Sequence, residues 1–126
     1  MAVHLRREEA TLSLIVAEPA TGDDETRYIA ALHEIAVQEC PFVLRVAFDK
    51  KLELEHEYRK EQNLWFKASR QQMNAMCRAV AIVRRDPSPE MQRIFSGLWA
   101  FPVLVTRSHQ EAEDFLAGHR PAEARA

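Results

Sequence analysis

Four short runs of aliphatic and β-branched residues, each separated from the next by a stretch long enough to form a helix, constrain this chain most. They are TLSLIVA at 11–17, FVLRVAF at 42–48, RAVAIV at 78–83 and FPVLV at 101–105. Runs of this length bounded by turn residues read as strands. Strands joined through helices need crossover connections, which pair them in parallel and turn right-handed. The pattern therefore predicts an α/β domain with a mostly parallel sheet of four to five strands. The fifth strand is VHLRR at 3–7, an antiparallel edge joined to its neighbour by a turn at EEA, 8–10. The run at 42–48 reads as a central strand, dry on both faces except at Arg45.

The intervening segments carry helical periodicity. After the turn PATGDD, with Asp23 or Asp24 as the cap, Tyr28, Ile29, Leu32, Ile35 and Ala36 repeat at three and four over a helix from 25 to 38, stopped before Pro41. Residues 52–76 read as one long helix, with Leu54, Tyr58, Trp65, Ser69, Met73 and Met76 along one stripe. A third helix spans 90–99, started by Ser88 and Pro89. A last one follows Ser108, whose spacing to Glu111 makes a capping box, and ends at Gly118. The tail 119–126 is polar, which places the ordered core at 11–118 of a single domain covering 1–126.

Composition narrows the function. The chain has 126 residues, 47% hydrophobic and 29% charged, with a formal net charge of −2. Basic residues alternate with acidic ones, so the stripe that neutralises phosphates in a nucleic-acid binder is missing, and no nucleic-acid partner is expected. No apolar run approaches the roughly 20 residues that span a bilayer, and no leader pattern is visible at the start. With two cysteines, Cys40 and Cys77, both read as buried thiols, the expected location is the cytoplasm.

No standard catalytic constellation emerges, so the chain reads as a non-enzyme without a cofactor. Gly22, Gly97 and Gly118 are the only glycines, too few and too scattered for a phosphate loop. The five histidines are spread along the chain, and Glu53, His56 and Glu57 on one helix face read as solvated rather than metal-binding. Both cysteines fall at helix ends, where the helix dipole disfavours a thiolate. Ser96–Gly97 lacks the strand-to-helix elbow of a nucleophilic serine. Ser88, beside Arg84 and Arg85, is a candidate anion or phospho position, set against the plainer reading of an N-cap.

Three segments carry a family likeness: RYIAALHEIAVQECPFVLRVAFD at 27–49, MCRAVAIVRRDPSPEMQRIF at 76–95 and FPVLVTRSHQEAEDFLAG at 101–118. A helix passing through a Pro-Phe step into a central strand that ends in an acid, a VAIV-type strand after a long helix, and a final helix closing on Phe-Leu together resemble the SpoIIAA-like group of STAS-like domains, relatives of anti-sigma-factor antagonists. The resemblance implies a mixed sheet with helices mainly on one face and a partner-binding, regulatory role. Regulatory members carry a phosphorylated Ser or Thr after that acid. Here Asp49 matches the acid and Lys50 stands where the hydroxyl belongs, so this phospho-switch is not expected.

Two functional readings lead, with an enzyme of unrecognised type as the remaining alternative. One is a non-catalytic interaction domain, self-associating or binding another protein through Leu64, Trp65, Phe66, Phe95, Leu98 and Trp99. Leu64, Trp65 and Phe66 in succession span an arc of about 200°, wider than one packing stripe. Trp65 is then the inward residue, with Leu64 or Phe66 facing another element or solvent. The other reading is a binding module for an apolar ligand or a lipid surface, using IFSGLWAF at 94–101. The same six residues could also simply be core.

Overall fold

A computed structural model describes residues 3–17, 23–49 and 55–121. Residues 1–2, 18–22, 50–54 and 122–126 lie outside that description. The expectations placed on Gly22, Lys50 and Glu53 lie there too.

The chain forms β1 (Val3–Glu8), β2 (Thr11–Val16), α1 (Asp24–Ala36), β3 (Phe42–Phe48), α2 (His56–Ala68), α3 (Arg70–Met76), β4 (Cys77–Val83), α4 (Pro89–Ser96), β5 (Val103–Thr106) and α5 (His109–Ala117). The five strands make one sheet in the order β1-β2-β3-β4-β5. β1 runs antiparallel to β2, and every later pair is parallel. Because each crossover advances one strand in the same direction, right-handed connections put every crossover helix on the same face. α1, α2, α3 and α4 do lie together there, over Leu12, Leu14, Val16, Phe42, Leu44, Val80 and Ile82. Of the described helices only α5 covers the opposite face, through Ala112 and Leu116. The expected mixed, mostly parallel sheet with helices mainly on one face is the observed one.

Strand alternation explains the division. Phe42, Leu44, Val46 and Phe48 of β3 face the crossover helices, while Val43 and Ala47 face α5. β4 presents Val80 and Ile82 to the first layer and Ala79, Ala81 and Val83 to the second. The small alanines let α5 lie close, and Ala79, Ala81 and Ala112 are all fully buried. At the free edge of the sheet the Gln92 side chain acts as a short surrogate strand. Its Nε2 donates to Val103 O at 2.6 Å and its Oε1 accepts from Val105 N at 2.8 Å, which covers backbone groups an edge strand leaves open.

Several boundaries differ from the periodicity. The single helix expected over 52–76 is broken at Ser69, whose hydroxyl donates to Trp65 O at 2.6 Å and shares that carbonyl with the Ser69 backbone N–H at 2.9 Å. Cys77 opens β4 instead of ending a helix, and it is buried. Cys40 is exposed, contrary to expectation, because α1 stops at Ala36 and leaves it in the linker before β3. Asp23 occupies the N-cap position of α1, yet its carboxylate pairs with Arg27 instead of capping. The capping box of α5 is half direct and half relayed. Ser108 Oγ accepts from Glu111 N, while Thr106 Oγ1 donates to the Glu111 carboxylate and accepts from Ser108 N.

Candidate functional site

The crossover helices do not close over the middle of the sheet. Between α1, α2 and α4 and the upper faces of β3 and β4 lies a cavity of about 680 Å³, within the roughly 300–1,000 Å³ of small-molecule sites. Its floor is Leu14, Leu44, Val46, Phe48, Val80 and Ile82. Val46 and Phe48 are consequently only partly buried, which corrects the expectation of a central strand dry on both faces.

The walls come from the residues singled out in the sequence. Trp65 is 5% exposed and Trp99 9%, while Phe66, Phe95 and Leu98 are half-buried; all five line the cavity. Leu64 does not: it faces solvent at 56% exposure. The wide apolar arc of α2 is thus divided, with Trp65 and Phe66 turned inward and Leu64 outward. Phe66 meets the edges of both tryptophans, at 5.5 Å from Trp65 and 5.8 Å from Trp99, and Trp99 stacks on Phe101 at 5.1 Å. This aromatic row joins α2 to the segment after α4. That helix stops at Ser96, short of the expected 99, so Leu98 and Trp99 are delivered by a turn.

Chain direction gives the cavity two unlike ends. A helix that follows a parallel strand starts over the strand's carboxyl edge and runs back. Tyr28 and Arg59, early in α1 and α2, therefore sit at the carboxyl edge with Phe48 and Arg84, which end β3 and follow β4. Trp65, Phe66 and Trp99 lie toward the other edge. At the polar end, Tyr28 OH donates to Gln62 Oε1 at 2.6 Å, and the rings of Tyr28 and Phe48 are 6.4 Å apart. Burial pushes the Tyr28 phenol up to about 12, against the opposing pull of the Arg84 charge, so the hydroxyl stays neutral and free to donate. The Arg84 guanidinium lies over Phe48 with Cζ 5.4 Å from the ring centre. Its Nε is buried without a partner, as are Nε1 of Trp65 and of Trp99.

Of the candidate anion position, Arg84 and Arg85 line one shallow concavity and Ser88 does not. Ser88 Oγ accepts from Met91 N at 3.1 Å as the N-cap of α4. Arg85 donates to Asp49 O at 2.6 Å, and Arg84 turns to the cavity. Sequence reasoning missed Tyr28, Arg59 and Gln62 as cavity residues, since each looked like an ordinary helix position. Among the described residues no group of three or more His, Cys, Asp or Glu side chains could hold a metal ion. No described helix is long and apolar enough to cross a membrane.

Fold and cavity together define the class: a singly wound α/β domain with a helix layer on one face and an apolar chamber beneath that layer. No protein-family model, curated protein or solved structure matches this chain.

Proposed function

We propose that this chain is a STAS-like, non-catalytic binding domain whose cavity holds an apolar small molecule. The observation that carries this reading is the cavity itself, about 680 Å³ walled by Trp65, Phe66, Phe95, Leu98 and Trp99 over an aliphatic floor. A cleft of this volume, lined mainly by apolar and aromatic side chains with a few polar groups at one end, has the make-up of a small-molecule site. The element order and the Pro41-Phe42 entry into β3 support the STAS-like assignment. Self-association through the same aromatic residues is the competing reading, and it requires Phe66 and Trp99 to leave the cavity and turn outward.

The test is titration with the neutral fluorophore N-phenyl-1-naphthylamine. Saturable one-to-one binding that quenches the two tryptophans is expected, and Leu98→Trp, which fills the chamber, should abolish it while the circular dichroism spectrum is kept. A folded wild-type protein that does not bind the probe would overturn the assignment.

A further inference from the structure

We infer that the ligand of this cavity is a single-chain amphiphile with an anionic head, its chain under the helix layer and its head against Arg84. The inference rests on the cavity reading and adds the head group. Arg84 is half-buried, and among the described residues no carboxylate or other hydrogen-bond acceptor pairs with its guanidinium, which lies over the Phe48 ring. A guanidinium removed from water without an anion is costly, and a carboxylate or phosphate that meets it gains a charge-assisted, two-pronged hydrogen bond.

A second arrangement points the same way. Arg84 and Phe48 border the apolar cavity and also a shallower concavity of about 240 Å³ lined by Asp49, Arg85, Arg107 and His109. This concavity lies at the carboxyl edge of the parallel strands. Among the described residues it brings three arginines and a histidine together around one carboxylate. The Asp49 backbone carbonyl accepts from Arg85, and its Oδ1 lies 3.7 Å from His109 Nε2. The cavity is therefore apolar at the Trp65–Trp99 end and opens beside a cationic rim at the Arg84 end. That polarity matches an amphiphile, whereas a neutral hydrocarbon would leave Arg84 unpaired and an inorganic anion would leave the chamber unfilled.

The experiment is displacement of N-phenyl-1-naphthylamine by decanoate and by decanol, both below any micelle concentration and at neutral pH. Decanoate should bind wild type about tenfold or more tighter than decanol, a preference that shrinks with added salt. Arg84→Gln should erase the preference and leave decanol binding in place, while Arg84→Lys, which keeps the charge, should retain part of it. Equal affinity of wild type for the two, or a preference undiminished in Arg84→Gln, overturns the head-group inference and leaves the cavity reading standing. If the probe binds and neither alkyl compound displaces it, the amphiphile is wrong; if the probe itself does not bind, both readings fall. A wild-type dimer that decanoate converts to monomer in sedimentation would make a second copy the occupant and overturn the inference.

Discussion

Phe66 and Trp99 meet edge to face, with ring centroids 5.8 Å apart and planes at 67°. The contact ties α2 to the turn after α4 and forms one end wall of the cavity. Leu64, two positions earlier and about 200° away around the helix, faces solvent instead.

Phe66→Ala should lower stability by about 2 kcal/mol, less than the 3–5 kcal/mol typical of fully buried Phe, because one side of the ring already borders empty space. Leu64→Ala, at an exposed position, should change it by no more than about 0.5 kcal/mol. Urea denaturation of both variants checks the pair. Equal losses would mean that the inward and outward faces of α2 are misassigned.

The two faces of β3 should respond differently to charge. Val43 is fully buried against α5, so Val43→Asp leaves a carboxylate without water or partner and should cost several kcal/mol, enough to prevent folding. Val46 borders the cavity and is only half-buried. Val46→Asp should fold with a lowered thermal midpoint and should weaken binding of an apolar probe. A fully unfolded Val46 variant would show that the cavity floor is as dry as the α5 face.

Alkaline pH should loosen the fold through two buried groups. Burial raises the Cys77 thiol from 9.0 to about 12, only partly opposed by the Ala79 backbone and by Arg78, and raises the Tyr28 phenol from 10.0 to about 12. Each keeps its proton longer when folded than when unfolded. Their contribution is therefore complete below the unfolded values and is lost as pH rises from about 9 toward about 12, at up to about 1.4 kcal/mol per pH unit per group. Urea midpoints measured from pH about 8 to about 11 should fall, and Cys77→Ala should flatten the early part of that fall. A midpoint independent of pH over this window would contradict the burial of both groups.

Glu9, in the two-residue turn between β1 and β2, has φ 57°, a left-handed conformation that costs most side chains energy. Glu9→Gly should stabilise the protein by about 1 kcal/mol, since the strain relieved outweighs the added freedom of the unfolded chain. A rise of a few degrees in the calorimetric midpoint is the expected reading; a fall would show that the turn carries no such strain.

Local periodicity was enough to read the elements and their order. Alternation in FVLRVAF and three-four spacing in RYIAALHEIA are properties of neighbouring residues, and the parallel sheet follows from crossover geometry alone. Trp65 could be named as the inward residue of its helix for the same reason. The break at Ser69 escaped that reading because it hangs on one hydroxyl choosing a carbonyl four residues back. Cys40 escaped it because burial depends on where a helix stops, not on the apolar run beside it. The cavity lay furthest out of reach: it exists where three helices fail to meet over Val46, and the space left between elements is not a property of any one of them. Only the tertiary structure brings Arg84, Phe48 and Tyr28 to a common end of that space, since the register of adjacent parallel strands and the return direction of α1 decide the meeting.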